Sequence, residues 1–271
     1  PFPWQQQFHD SKARFRVLAC GRRAGKDRAC IYELLHLIPR LLKATRTADG
    51  RLKPDALVPP VLIWVVAPTY PLTEQLWAEL KAFVPAAAIT ATHEVDKHLA
   101  IKGGAEIWLK TAFDPERLVG AGLDILSITE AGLIVREAWE TGLRPCLSSP
   151  GRAGLAILNG TPKGLTWFRD LYLRGQDALD AEVESWNYPS WFSMSMWTDT
   201  DLREAVGSFN DRRTAEERLW KLLIDGRCLV LPAEIRKAKR DLPEMVFRQE
   251  YGAEFLSDVG LVFRHVDACV H

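Results

Sequence analysis

The sequence predicts an α/β protein built on an open, mostly parallel β-sheet flanked by helices. Three observations predict this class. A glycine-containing turn joins an apolar strand to a helix within residues 15–42, continuous apolar runs of strand length recur, and strands alternate with helical patterns up to about residue 178. Continuous apolar runs are typical of parallel strands that helices cover on both faces. We therefore expect crossover helices on both sides of one sheet.

The elements follow one another along the chain in the order that such a sheet requires. Apolar runs predict strands at 15–20, 61–67, 106–110, 123–129 and 154–159, and helical spacing predicts helices at 29–42, 74–83 and 135–143. Beyond about residue 178 the alternation stops; a last strand near 182–186 precedes helical patterns at 215–223 and 232–240. We expect a smaller, mainly helical appendage after the sheet.

Composition excludes several classes of protein. Hydrophobic residues make up 47% of the 271 residues, enough for a buried core, so a disordered chain and a coiled coil are both excluded. Lysine plus arginine equals aspartate plus glutamate at 35 each, so total charge does not indicate a nucleic-acid partner. The five cysteines are far apart and form no C-x-x-C pair, which argues against a zinc site and a disulfide framework. No apolar run reaches the roughly 18 residues of a membrane helix, so we expect a cytosolic protein with no membrane partner.

The strongest chemical signal is a basic turn between the strand at 15–20 and the helix that follows. It consists of Gly21, Arg22, Arg23, Ala24, Gly25, Lys26 and Asp27. Such a turn points backbone N–H groups inward at a helix N-terminus and can cradle phosphates, with Lys26 reaching the β- and γ-phosphates. The G-x-x-x-x-G-K-[ST] spacing is met only in part, because Cys20 replaces the first glycine and Asp27 the hydroxyl residue. The sequence thus predicts a deviant P-loop; the alternative is a basic turn that caps a surface helix.

A second signal is Glu130, which follows the buried strand predicted at 123–129. In P-loop enzymes a buried strand ends at a carboxylate beside the metal, and a following glutamate often polarises the attacking water. We predict that role for Glu130. The alternative is an exposed residue at a strand end.

Several separate segments resemble the large terminase subunits that package DNA in tailed bacteriophages. They are Pro3–Gln6, Phe15–Lys26, Val66–Thr69, Gly122–Ala131, Asn159–Gly164 and Phe247–Phe255, and they span nearly the whole chain. The resemblance implies an ASCE-type P-loop ATPase core at 1–178 and a small linker or lid subdomain at 179–260. It further implies that 261–271 begin a nuclease domain that is truncated in this chain.

The resemblance also implies roles for individual residues. Gln5, or Gln6 if the register shifts, matches a glutamine that reads adenine, and an amide has the donor and acceptor that the adenine edge needs. Arg22 matches a P-loop arginine able to contact the γ-phosphate in cis, while Arg23 supports the loop or makes a structural ion pair. Thr161 matches a coupling residue that reports the nucleotide state. Without the resemblance, these segments are a polar arm and a Gly-Thr-Pro turn.

Three departures from the family pattern bear on catalysis: Asp27 in place of Ser or Thr, Thr129 in place of Asp, and Val119 in place of Arg. The first two look like a single exchange, in which the hydroxyl and the carboxylate that lie on opposite sides of the metal have traded places. We hypothesise that Asp27 contributes an oxygen ligand to Mg²⁺ and that the Thr129 hydroxyl orients a metal-bound water. The alternative is a degraded or slow ATPase. For the third, Arg117 is the nearest candidate for an arginine that acts in trans, or it is a solvated loop charge.

We expect the DNA contact to be a set of dispersed basic side chains on the inner wall of a ring of subunits. A packaging motor binds the DNA phosphates and does not recognise the base sequence. Two basic patches are candidates for this contact. They are Arg46, Arg51 and Lys53 in a turn-rich excursion, and Arg236, Lys237, Lys239 and Arg240 on a late helix. The alternative for either patch is an ordinary solvated surface.

The predicted function is a motor ATPase that uses ATP and Mg²⁺ to move double-stranded DNA into a procapsid. The partners implied by the resemblance are DNA, the portal protein, the small terminase subunit and a homo-oligomeric ring, expected to be a pentamer, in the host cytoplasm. Two alternatives stay open: a nucleotide-binding assembly subunit that hydrolyses ATP weakly or not at all, and another P-loop DNA translocase or helicase.

Overall fold

A computed structural model describes residues 3–44 and 60–257. One eight-stranded sheet organises the described chain, in the order β3-β4-β5-β2-β6-β7-β1-β8. The strands are β1 (Phe15–Cys20), β2 (Val61–Ala67), β3 (Ile89–His93), β4 (His98–Ile101), β5 (Ala105–Thr111), β6 (Ile125–Ile128), β7 (Leu155–Gly160) and β8 (Val183–Tyr188). Six of them, β5-β2-β6-β7-β1-β8, pair in parallel, which confirms the predicted fold class.

The other edge of the sheet is antiparallel and was not predicted. β3 pairs with β4, and β4 pairs with β5, both antiparallel. β3 is largely exposed, so it lacks the continuous apolar run by which the buried strands are recognised.

Helices cover both faces of the sheet. They are α1 (Pro3–Asp10), α2 (Lys26–Ala44), α3 (Tyr70–Phe83), a π-helical stretch at Ala138–Leu143 continued by the short α4 (Arg144–Cys146), and α5 (Trp167–Arg174). One apolar core lies between the sheet and helices α2 and α3, and a second lies on the opposite face under the π-helical stretch and α5. Each fully buried Leu, Ile or Phe in these cores stabilises the fold by roughly 1.5–3 kcal/mol. The observed α2 begins at Lys26, three residues before the predicted start.

The remaining helices form a smaller unit: α6 (Asp199–Val206), α7 (Arg212–Ile224), α8 (Ala233–Asp241) and α9 (Glu244–Glu250). α6 and α7 pack around a core of their own that contains Trp197, Leu202 and Leu219. β8 pairs with β1 along its whole length and so belongs to the sheet, while the domain boundary predicted at residue 178 stays a prediction. The strand predicted near 182–186 is thus observed as β8, although polar residues such as Glu184 and Asn187 interrupt its apolar pattern.

The chain returns to the sheet after α9. Tyr251 O accepts a hydrogen bond from Ser190 N at 2.8 Å, and Ala253 O accepts one from Asn187 Nδ2 at 2.6 Å. The segment at 261–271 that was assigned to a nuclease domain lies outside the described residues. None of the helices in the described ranges is long and apolar enough to cross a membrane.

Candidate active site

The candidate site lies at the carboxyl ends of three neighbouring strands. β6, β7 and β1 are adjacent in the sheet, and they lead into Thr129-Glu130, Thr161 and the P-loop. Parallel strands end at the same edge of the sheet, which is where open α/β sheets bind their ligands. The topology therefore brings together segments that are far apart in sequence.

The P-loop turns sharply before α2. Arg23 has φ 56° and Gly25 φ 87°, both in the left-handed region, and glycine adopts this region without strain. Gly21 is required for a different reason: a Cβ there would lie 2.5 Å from Ser190 Oγ and 2.6 Å from Tyr251 O. The predicted loop residues thus form a turn at a helix N-terminus, with Gly21 packed against the returning chain.

Lys26 and Glu130 form the centre of the site. Lys26 Nζ lies 2.9 Å from Glu130 Oε1, and Lys26 is 6% exposed. Burial alone would lower the pKa of Lys26, but the carboxylates of Asp27 and Glu130 outweigh it and raise that pKa. The Lys26 ammonium is therefore held charged beside the predicted base.

Glu130 is also tied to the end of β7. Its Oε2 accepts a hydrogen bond from Thr161 N at 3.2 Å. Glu130 has φ 50°, a left-handed conformation that costs a residue other than glycine about 1–3 kcal/mol. Strained residues of this kind are concentrated at functional sites. Three predicted site residues, Lys26, Glu130 and Thr161, thus lie in one hydrogen-bonded group.

Asp27 and Thr129, the predicted metal residues, line one small cavity beside the start of α2. Burial raises the pKa of Asp27, against the opposing effect of Lys26, and Asp27 Oδ1 is buried with no hydrogen-bond partner. Thr129 is buried as well. A carboxylate oxygen and a hydroxyl are donors of the kind that Mg²⁺ takes, but the rest of this cavity is lined mainly by apolar side chains, among them Leu34, Leu76 and Leu80. Within the described ranges no group of three or more His, Cys, Asp or Glu residues is arranged to hold a metal, so Mg²⁺ here would need phosphate or water ligands as well.

Arg22, the predicted cis arginine, contacts Glu250 on α9. Lys163, two residues after Thr161, contacts the same carboxylate. Burial would raise the pKa of Glu250, but hydrogen bonds from Lys163 and Arg22 hold it at about 2. The Arg22 guanidinium is 62% exposed, so it lies at the rim of the site. Glu250 was not predicted as a site residue; the one signal for it in the sequence was the segment Phe247–Phe255.

The two glutamines differ in placement. Gln5 is buried, its Nε2 donates to Gly25 O at 3.4 Å, and it lines the open cleft beside the P-loop. Gln6 is exposed and its Nε2 donates to Asp10 Oδ1 at 2.9 Å. The geometry favours Gln5 over Gln6 as the adenine contact.

Arg117 is not brought to the P-loop within this chain. It pairs with Asp114 Oδ2 at 2.9 Å, and its side chain is 82% exposed. It lines a separate pocket with Tyr70 and Lys110, and Val119 near it is exposed. A role for Arg117 at the nucleotide would therefore have to be in a neighbouring subunit.

The two basic patches also stay predictions. Arg46, Arg51 and Lys53 lie outside the described residues. On α8, Arg236 pairs with Glu204 at 2.8 Å and Arg240 with Asp241 at 3.0 Å, while Lys237 and Lys239 are exposed. Half of the second patch is thus already paired with acidic residues of its own chain.

Comparison with known proteins identifies the relatives of this chain. No protein-family model matches it. The large terminase subunit of Thermus virus P23-45 is 26% identical over the whole of this chain, which corresponds to 52% of that protein. The large terminase subunit of Escherichia phage T5 is 26% identical over 79% of this chain and 42% of its own length. The chain thus spans about half the length of the curated relatives that it matches.

Solved structures agree with this result. The large terminase ATPase domain of Thermus phage P74-26 has a TM-score of 0.64 and 23% identity, covering 94% of both chains. The large terminase of another thermophilic bacteriophage, in complex with ATP-γ-S, has a TM-score of 0.61 and 14% identity, covering 94% of this chain and 53% of that one. This chain is therefore a relative of the phage large terminase subunits, with the P-loop fold of their ATPase domains.

Proposed function

We propose that this chain is the ATPase domain of a DNA-packaging motor, which hydrolyses Mg-ATP and couples hydrolysis to translocation of double-stranded DNA into a procapsid. The observation that carries the proposal is the contact of Lys26 with Glu130 at the mouth of the P-loop, 2.9 Å between Nζ and Oε1. Support also comes from the large terminase of a thermophilic bacteriophage, a structural relative solved with ATP-γ-S and with ADP.

The proposed reaction begins with an exchange of partners. The P-loop amides and Lys26 would bind the triphosphate, so that the Lys26 ammonium moves from Glu130 toward the phosphates. Glu130 would then be free to accept a proton from the attacking water. The water oxygen forms a bond to the γ-phosphorus. At the same time the bond between the γ-phosphorus and the β–γ bridging oxygen breaks, which yields ADP and inorganic phosphate.

Asp27 and Thr129 are the residues that would hold Mg²⁺ and its water. When bound, the ion would neutralise charge on the phosphate oxygens. The chain's own contribution is one carboxylate oxygen and one hydroxyl in the cavity beside the start of α2.

The proposed coupling runs from Glu130 to the helical unit. Thr161 N donates a hydrogen bond to Glu130, so a movement of the Glu130 carboxylate would alter this hydrogen bond at the end of β7. Two residues later, Lys163 contacts Glu250 on α9, which also binds Arg22 of the P-loop. We propose an ATPase core that includes β8 and a linker or lid unit that ends with α9.

The partners are proposals of the same kind. A homo-oligomeric ring would place Arg117 of one subunit beside the nucleotide of the next, and the ring would contact DNA, the portal protein and the small subunit in the host cytoplasm. Mixing wild-type subunits with Arg117→Ala subunits tests the arginine. Undiminished assembly-stimulated ATPase activity in the mixture would remove Arg117 from this role.

The function is tested first by nucleotide binding. We expect calorimetry to detect ADP binding, and Lys26→Ala to weaken it by about 10–100-fold, since a charge-assisted contact contributes about 1.5–3 kcal/mol. Lys102→Ala is the matched control, because Lys102 is exposed in the turn between β4 and β5. Absence of any nucleotide binding by the wild type would overturn the proposal.

A phosphate-release assay with and without double-stranded DNA then separates the alternatives. We expect Mg-ATP turnover that DNA stimulates. Binding without turnover would favour an assembly subunit, as the Asp27 and Thr129 departures allow. Strand separation would favour a helicase.

A further inference from the structure

Glu33 is a fully buried carboxylate on α2 that the proposed reaction does not use. Its relative exposure is 0%, and its two oxygens contact side chains from two other elements. Oε1 accepts a hydrogen bond from Arg16 Nη1 on β1, and Oε2 lies 2.6 Å from His9 Nδ1 on α1. A buried charge is costly unless it is paired and hydrogen-bonded. Glu33 therefore ties both α1 and β1 to α2.

The charge of Glu33 determines which group donates in these contacts. Burial alone would raise the pKa of Glu33, but the hydrogen bond from His9 and the charge of Arg16 outweigh it and lower that pKa. An ionised carboxylate can only accept hydrogen bonds, so His9 Nδ1 carries the hydrogen of this contact, whatever the charge of the ring. Arg16 is itself held in place, because its Nε donates to Ala13 O at 3.2 Å. His9 thus binds an acceptor that is fixed to the sheet.

His9 and Gln5 lie on the same face of α1. They are four residues apart, and residues at this spacing are neighbours on the surface of a helix. Gln5 Nε2 donates to Gly25 O of the P-loop at 3.4 Å, while His9 donates to Glu33 farther along α2. One face of α1 is therefore attached to the P-loop at one position and to the helix that follows it at another.

The contact with Gly25 sets the direction of the Gln5 amide. A carbonyl oxygen accepts a hydrogen bond but cannot donate one, so the amide turns its Nε2 toward Gly25 O and its Oε1 the other way. Gln5 also lines the open cleft beside the P-loop. An amide held in one direction distinguishes a base edge from the edge with donor and acceptor reversed, whereas an amide free to turn by half a rotation binds both.

The contacts of α1 with the sheet are mainly apolar. Trp4 and Phe8 are fully buried, and their ring centroids lie 5.0 Å from Tyr188 and 5.7 Å from Trp186 on β8. Gln7 Oε1 also accepts a hydrogen bond from Tyr188 Oη at 2.7 Å. Apolar contact is non-directional, so it holds α1 against β8 without setting how far α1 lies along α2. The hydrogen bond of His9 adds a directional contact on the side of α2.

We propose that His9 is a positioning residue for recognition of the nucleotide base, because its hydrogen bond to Glu33 holds α1 where the Gln5 amide faces adenine. The inference rests on the proposed function and on Gln5 as the adenine contact. His9 acts through Gln5, one helical turn away. Loss of the His9 hydrogen bond would let α1 shift along α2 and would leave the Gln5 amide free to turn.

The test is the preference for ADP over IDP, measured by calorimetry as the ratio of the two dissociation constants. IDP has the same ribose and phosphates, but a carbonyl replaces the amino group of the base and the neighbouring ring nitrogen carries a hydrogen, so donor and acceptor are reversed. We expect the wild type to prefer ADP by about 10–100-fold, since IDP leaves a fixed amide unpaired. For His9→Ala we expect this ratio to fall at least about fivefold. His9→Asn, whose amide donor lies near the position of Nδ1, should keep most of the preference.

His36→Ala is the matched control, because His36 is an exposed histidine on α2. It should leave the ratio unchanged, whereas Gln5→Ala should abolish the preference. A merely structural role for His9 would change both dissociation constants by the same factor and leave their ratio intact, which would overturn the proposal. If His9→Ala does not fold, as judged by circular dichroism, His9→Leu decides by the same ratio, since leucine fills the space of the ring without a donor.

The outcomes separate this inference from the function on which it rests. A wild-type protein that binds neither ADP nor IDP overturns the proposed function and this inference with it. A wild type that binds ADP and IDP equally well, or a Gln5→Ala variant that keeps the preference, overturns only the role of His9.

Discussion

The two ends of β6 carry two carboxylates with opposite surroundings. Asp124, just before the strand, accepts hydrogen bonds from Leu62 N at 2.9 Å, Ala153 N at 3.1 Å and Arg152 Nη1 at 2.7 Å. Glu130, just after the strand, has left-handed backbone geometry and contacts Lys26 and Thr161 N. Asp124 joins three segments of the fold, whereas Glu130 contacts a lysine that a phosphate would also attract.

This difference shows that a parallel sheet can place stabilising contacts at one end of a strand and chemically active groups at the other. At the amino end of β6, Asp124 accepts hydrogen bonds from groups of the fold itself, which tie β6 to β2 and to the loop before β7. At the carboxyl end, loops and a helix N-terminus leave room and positive potential for an anion. The same residue class therefore stabilises the fold at one end of a strand and would act on substrate at the other.

The largest expected effect is that of Glu130→Gln. Because glutamine cannot accept the proton of the attacking water, we expect kcat for ATP hydrolysis to fall about 10²–10⁴-fold. ADP affinity should stay close to wild type, whereas the melting temperature should fall, because the buried Lys26 ammonium loses its carboxylate partner. Stopped-flow phosphate release and calorimetry measure the two quantities, with the exposed Glu234→Gln as control. A variant that keeps its turnover would end the assignment of Glu130 as the base.

Asp124→Ala should lower the free energy of unfolding and leave turnover unchanged. Its removal leaves the Arg152 guanidinium, 11% exposed, without its carboxylate partner, and breaking such a buried pair costs about 3–5 kcal/mol. Denaturant unfolding measures this loss. Turnover per folded molecule should be unchanged.

A surface pair provides the control for Asp124. Asp170 pairs with Arg136 at 2.6 Å with both side chains about half exposed, so Asp170→Ala should cost less than about 1 kcal/mol. If Asp124→Ala abolished hydrolysis in the folded fraction, the separation between the two ends of β6 would fail.

Glu250 gives a pH-dependent contribution to stability. Its pKa is lowered from 4.5 to about 2 in the fold, so the ionised carboxylate stabilises the folded state above about pH 4.5. This contribution, at most about 3 kcal/mol, is lost as the pH falls from about 4.5 to about 2. We expect the difference in unfolding free energy between wild type and Glu250→Gln to shrink over that range.

The exposed Glu244→Gln, on the same helix, should show no such change in its difference from wild type. A difference for Glu250→Gln that is independent of pH would mean that Lys163 and Arg22 do not hold the carboxylate ionised.

The smallest expected effect concerns the exchange of Asp27 and Thr129. Asp27→Ser and Thr129→Asp should each lower kcat/KM by about tenfold, because each leaves the metal with one charge too few or too many. The double variant should recover to within about 3-fold of wild type, since the two sites are coupled. Mg-ATP turnover measures all three. A double variant no better than the worse single one would refute the exchange.

Much of the site could be predicted because its signals are local. The P-loop is a turn between a strand and a helix, and Glu130 and Thr161 each follow an apolar strand, so parallel pairing alone predicts that they meet. Asn159 and Glu250 gave no local signal of this kind beyond their place in the segments Asn159–Gly164 and Phe247–Phe255. An asparagine in a strand and a glutamate at a helix end are common, and only the packed sheet and the returning chain bring them to Thr129 and Arg22.

The class of fold, the position of the P-loop and the strand ends at which chemistry is expected all follow from local patterns in the chain, because apolar periodicity and turn residues act over a few neighbouring positions. The tertiary structure decided which side chains meet: that Lys26 pairs with Glu130, that Arg22 turns to Glu250, that Gln5 rather than Gln6 faces the cleft, and that β8 completes the sheet. These contacts depend on strand order and on how a distant helix returns, and long-range packing of this kind leaves no periodic trace in the chain.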